Sequence, residues 1–84
     1  MTVAEIEDRV GTFVVGSFLA DGTAAPGRDD DLFALLDSLQ VLRTVVWIEE
    51  QFGAKVTDGD LTAENLGTVA RVAAFIGSRI GASP

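Results

Sequence analysis

Ser38 stands between Asp37 and Leu39, behind an acidic loop and ahead of a stretch with helical periodicity, and it is the side chain of this sequence most open to chemistry. A serine hydroxyl becomes a nucleophile only beside a positioned base or with a depressed pKa. Neither is on offer. The 84 residues include no histidine and no cysteine, and the single lysine, Lys55, lies seventeen residues further on. Ser38 is therefore poorly equipped to attack a substrate and well placed to be modified by another enzyme. The same absences remove a thiolate metal site, a disulfide scaffold and the commonest metal ligand. Neither a catalytic residue nor a metal-ligating set is expected. An enzyme built from carboxylates alone would need a pocket and a second group with a perturbed pKa. A chain of this size buries only roughly 60% of its unfolded surface, which leaves little volume for such a pocket.

The charge is unevenly placed. Of the net −7, all of it falls between residues 29 and 64, where Asp29, Asp30, Asp31, Asp37, Glu49, Glu50, Asp58, Asp60 and Glu64 face only Arg43 and Lys55. The remainder holds four acids and four bases. Such a field repels nucleic acid and anionic membranes and steers in basic protein surfaces. The N-terminus (M-T-V-A-E-I-E-D) has no basic region leading into an apolar stretch, and no run reaches the length of a membrane span. The expectation is a soluble cytoplasmic protein that binds neither nucleic acid nor membrane.

The elements that must position Ser38 are helical. Thr2 and Glu5 form a capping-box pattern, and Ile6, Val10, Phe13, Val14 and Ser17 follow a 3.6-residue period, predicting a helix over about residues 3–19. Residues 20–31 (A-D-G-T-A-A-P-G-R-D-D-D) read as a loop, and Leu32, Phe33, Leu35 and Leu36 as a single turn pinning that loop to the core. Asp37 with Gln40 caps a second helix over about 37–52, which stops at Gly53. Val56 is expected to pack inward, Asp60 or Thr62 to cap a short helix near 61–66, and Thr68 to open a last helix to about residue 80. No internal repeat or strand alternation is present. The predicted fold is all-α: one domain over residues 1–84, a small four-helix bundle of three longer helices and one short one.

The second helix carries two apolar faces. Val41, Val45, Ile48 and Phe52 fall within about 60° of one another, enough to face a core, while Leu39, Leu42 and Val46 form a second stripe roughly 130° away. That stripe is either a docking surface rimmed by Glu49 and Glu50 or is covered by the long loop. Arg43 and Trp47, four residues apart, are spaced for a cation–π pair, and Trp47 suits packing somewhat better than an interface.

L-L-D-S-L, followed by V-L-R-T-V-V-W-I-E-E-Q-F-G, K-V-T-D-G-D-L and T-V-A-R-V-A-A-F-I, resembles the acyl and peptidyl carrier proteins over about residues 3–80. The resemblance implies that Ser38 receives 4′-phosphopantetheine from coenzyme A through a separate phosphopantetheinyl transferase, with Asp37 and Leu39 as recognition flanks. The arm's thiol would hold an acyl or aminoacyl group as a thioester. Leu39, Leu42, Arg43, Val46, Glu49 and Glu50 would meet acyl-loading and acyl-processing enzymes with basic docking surfaces. The expected molecule is a free-standing, monomeric acyl carrier of polyketide-type specialised metabolism. A discrete peptidyl carrier is the alternative, and a helical adaptor without a prosthetic group is a further one. Two departures stand out. Leu35 occupies a position where the family usually has glycine, in a segment between Phe33 and Ser38 that is shortened. Arg43 stands where carriers of primary fatty acid synthesis commonly have glutamate.

Overall fold

Side-chain caps decide where the helices of this chain begin. The computed structural model describes residues 1–84. It is all-α, with α1 at Val3–Phe18, α2 at Leu32–Leu35, α3 at Ser38–Phe52, a 3-10 turn at Asp58–Asp60, α4 at Ala63–Leu66 and α5 at Val69–Ile80. Thr2 and Glu5 close a reciprocal capping box on α1, and Asp37 and Gln40 do the same on α3. Asp31, Thr62 and Thr68 each accept an amide of the helix that follows. Each cap of this kind contributes about 1 kcal/mol. Gly53 ends α3 in the left-handed region at φ 67°, which costs glycine little and a β-carbon-bearing residue more.

The three long helices lie within a residue or two of their predicted bounds. The short helix, expected near 61–66, spans Ala63–Leu66, its start set back by the 3-10 turn at residues 58–60. The Asp60 carboxylate accepts from the Thr57 amide at 2.9 Å and from Arg79 at 2.8 Å, closing that turn, so capping of α4 falls to Thr62. The apolar run before Ser38 also divides. Leu32 and Leu36 are buried and anchor the loop, whereas Phe33 and Leu35 face outward.

The core lies where α1 and α5 pack side by side and α3 closes over them. Ile6, Val10 and Val14 of α1, Ile48 of α3 and Val72 and Ile76 of α5 are essentially inaccessible to solvent. Burying each such side chain is worth about 1.5–3 kcal/mol. Gly77 permits the close approach of α1 and α5, since a β-carbon there would lie 3.1 Å from Val3 Cγ2. Val56 packs against this core as predicted. Ser17, which continues the α1 period, is exposed, so the buried stripe of α1 ends a turn early. No helix is long and apolar enough to cross a membrane.

The 19–31 segment is held at its far end. The Ala70 amide donates to the Arg28 carbonyl at 2.9 Å and the Leu32 amide to the Gly67 carbonyl at 2.8 Å. The Arg28 guanidinium grips both Glu7 oxygens, at 3.0 and 3.1 Å. These hydrogen bonds hold the Glu7 carboxyl below its ordinary value of 4.5, while the Thr57 amide, then Arg79, hold Asp60 below its ordinary 3.8. Both groups have their lower pKa in the folded state. Their contribution is therefore complete above the ordinary values and is lost as pH falls through the depressed ones. Urea midpoints should stay level down to about pH 4.5 and fall below it, and Asp60→Asn should make the fall shallower. An identical acid slope in that variant would rule out the Asp60 linkage.

Candidate functional site

Ser38 is the first residue of α3, and its position follows from the cap that precedes it. Asp37 Oδ1 accepts from the Gln40 amide at 2.8 Å, and Gln40 Oε1 accepts from the Asp37 amide at 3.0 Å. The carboxylate of Asp37 is thus committed to starting the helix. Ser38 itself is exposed, and its hydroxyl makes no hydrogen bond within the chain. The amides of Ser38 and Leu39 also have no acceptor. Two free N–H groups at the positive end of a fifteen-residue helix favour an anion beside the Ser38 hydroxyl.

The outer face of α3 is bare. Leu39, Leu42 and Val46 are 62%, 49% and 53% exposed, against 9% for Val45 and 0% for Ile48. The long loop does not cover this stripe, which lies open to solvent. Phe33 and Leu35 add apolar surface on the α2 side of Ser38. An open groove of about 420 Å³ runs between α2 and α3, lined by Phe33, Leu36, Asp37, Ser38, Val41 and Leu42.

The acidic cluster around the site is less free than its sequence suggests. Asp30, Asp31, Asp37, Glu49 and Asp60 each accept a backbone amide, those of Gly27, Phe33, Gln40, Val56 and Thr57. Glu49 ties the segment after α3 back to the helix at 3.1 Å, a structural task that helical spacing does not disclose. Glu50 has no such duty and remains exposed.

The expected Arg43–Trp47 pair does not form. Trp47 stacks instead on Phe13 of α1, with ring centres 4.3 Å apart and planes 13° from parallel, and meets Phe52 edge-on at 5.5 Å. A neighbouring helix supplies a broad apolar surface for the indole, which outcompetes a solvated guanidinium. The cation–aromatic contact in this chain is Arg79 over Phe75, at 4.6 Å. Trp47 is thus a packing residue, in line with the weaker preference drawn from its position.

The chain matches a family model described as a phosphopantetheine attachment site over residues 14–76, which takes in the last turn of α1, all of α2, α3 and α4, and most of α5. It belongs to that family. Members carry 4′-phosphopantetheine covalently on a serine, are carriers and not catalysts, and work with a phosphopantetheinyl transferase and partner enzymes. No curated protein matches the chain.

The residues at the start of α3 fit that group. An exposed, unbonded hydroxyl is available for a phosphodiester, two free amides face its charge, and an open apolar groove runs alongside. Leu35, where the family usually has glycine, carries no backbone strain. Positive φ occurs only at Gly22, Gly53 and Gly81, so the chain reaches α3 through ordinary extended backbone at Leu36 and Asp37 and Leu35 needs no special conformation. The contribution of Phe33 and Leu35 to the site surface was not foreseen. The one sequence signal for it is that four large apolar residues in a run of five exceed what a single helical turn can bury.

Proposed function

We propose that this carrier is an acyl carrier protein of polyketide-type specialised metabolism whose attachment site is Ser38. The observation that carries the assignment is the exposed hydroxyl at the head of α3, flanked by free amides and lying inside the family-matched residues. When bound, the phosphopantetheine supplies a thiol that holds an acyl group as a thioester. The chain's own residues orient and present it: Asp37 and Gln40 fix the start of α3, the Ser38 and Leu39 amides face the phosphate, and the exposed stripe offers partners a grip. Tethering raises the effective concentration of the cargo to the millimolar range for a short flexible arm. The test is intact mass after incubation with coenzyme A and a broad-specificity transferase, followed by identification of the acyl group acquired from the native host. An amino acid on the thiol would instead make the protein a peptidyl carrier.

Partner enzymes are proposed to dock on Leu39, Leu42 and Val46, with Arg43, Glu49 and Glu50 at the rim. Arg43 interrupts the acidic face and so favours a dedicated partner set over a general one. Steering by exposed acids is screened over about 8 Å at physiological ionic strength, so association with a basic partner should slow as salt is added. Glu50→Lys should slow it similarly at low salt with the fold intact. Glu49→Lys is a poorer probe, because it also breaks the bond to the Val56 amide. Stopped-flow association rates that ignore both salt and Glu50→Lys would refute electrostatic steering.

A further inference from the structure

Two open grooves meet at Leu42. One is the α2–α3 groove that holds Ser38. The other, about 460 Å³, lies between α1 and α3, with Leu39, Leu42 and Val46 on one side and Phe13, Phe18 and Trp47 on the other. Its size falls in the usual range of small-molecule sites, about 300–1,000 Å³. The interior of the bundle offers no comparable room. The space enclosed by Leu36, Val41, Leu66 and Val72 amounts to about 10 Å³. A single water needs roughly 10–15 Å³, so an acyl chain cannot enter there unless the helices part.

We propose that the α1–α3 groove is the resting site of the group carried at Ser38, and that it selects flat, conjugated acyl groups bearing oxygen. This rests on Ser38 being the attachment site. Reach is not limiting: Leu42 is one turn from Ser38 and Trp47 nine residues along the same helix, about 14 Å at 1.5 Å per residue. The floor is aromatic, with Phe13 stacked on Trp47 and Phe18 meeting Phe13 edge-on at 5.5 Å. Rings of a bound group can join this arrangement by offset or edge contacts. Arg43 also lines the groove, and its guanidinium makes no ion pair or hydrogen bond within the chain. Its donors suit keto or phenolic oxygens, whereas a saturated chain would desolvate them without replacement.

The same Leu39, Leu42 and Val46 are the proposed docking stripe. Cargo and partner therefore compete for one surface, and docking displaces the cargo towards the partner's active site. A tethered group at millimolar effective concentration occupies even a weak site, so the groove can shelter cargo without holding it against a partner.

Methyl- and amide-detected NMR of the full chain tests this, with 6-hydroxy-2-naphthoyl-phosphopantetheine on Ser38 compared with the octanoyl form and intact mass confirming the load. The expected result is shifts and cross-peaks at Phe13, Leu42, Val46 and Trp47 for the naphthoyl form, at least several-fold larger than for octanoyl. Val46→Glu should reduce occupancy roughly tenfold, because it puts a charge against the apolar ring. Arg43→Ala should erase the preference over octanoyl while leaving the fold unchanged. Shifts confined to Leu36, Val41, Leu66 and Val72, or absent beyond the residues beside Ser38, would overturn the proposal. If mass shows no loading, the attachment assignment fails, and the naphthoyl pantetheine thioester added in trans at millimolar concentration, matching the tethered value, decides the groove alone: perturbation of the same four residues supports it, and none refutes it.

Discussion

Replacing Ser38 with alanine is expected to abolish transfer of phosphopantetheine to this protein, while the parent chain gains the mass of one such group and no more. The other serines are poor substitutes. Ser78 donates its hydroxyl to the Phe75 carbonyl at 2.8 Å, and neither Ser17 nor Ser83 stands at the start of a helix. The variant should fold normally, because the Asp37–Gln40 box that begins α3 uses neither the hydroxyl nor the amide of Ser38. An exposed substitution of this type changes stability by about 0.5 kcal/mol or less. Loss of modification then reports on the acceptor and not on unfolding, which circular dichroism of both proteins checks. Asp37 needs a more careful variant. Asp37→Ala removes a cap worth about 1 kcal/mol as well as a charge, whereas Asp37→Asn keeps the cap and removes the charge alone. Comparing the two separates recognition by the transferase from the stability of α3. Modification of the Ser38→Ala variant, or a parent that no transferase modifies, would remove Ser38 as the attachment site.

The parts of this fold that were legible in the sequence are those set by neighbours within one helical turn. Thr2 with Glu5 and Asp37 with Gln40 are three residues apart, so their reciprocal bonds follow from local geometry and place the starts of α1 and α3. The two stripes of α3 were legible for the same reason, since helical angles between residues of one helix need no tertiary information. Most of the differences involve a partner from elsewhere in the chain. Arg43 and Trp47 have suitable spacing, yet Phe13 arrives from α1 and takes the indole face. Glu49 sits among apparent surface acids, yet it meets an amide seven residues away across the end of α3. Asp60 and Thr62 both suited the cap of α4, and it is Arg79, nineteen residues away, that with Thr57 draws Asp60 into a turn of its own and leaves the cap to Thr62. The candidate site divides along the same line. Ser38 and its flanks are local, whereas the α1–α3 groove exists only once Phe13 and Phe18 lie beside α3.

The two stripes of α3 also yield the largest expected contrast in stability. Ile48 is inaccessible to solvent and belongs to the main core, so Ile48→Ala deletes buried methyl and methylene groups and leaves a cavity that the packed helices cannot fully close. The cost should be about 2–5 kcal/mol. For a domain of this length the whole stability is of the order of 4–13 kcal/mol, so the variant should unfold at much lower urea and can be partly unfolded without denaturant. Leu42, half exposed on the opposite side, loses little burial when truncated, and Leu42→Ala should cost under about 1 kcal/mol. Its effect belongs elsewhere: transfer of a loaded acyl group to a partner enzyme should slow in Leu42→Ala, because a docking stripe concentrates its binding energy in a few apolar anchors. Urea melts of both variants, paired with a single-turnover transfer assay without urea at sub-saturating partner concentration, separate the roles. Equal destabilisation by the two substitutions would mean that Leu42 is core, and normal transfer by Leu42→Ala would mean that partners grip this protein somewhere other than the exposed face of α3.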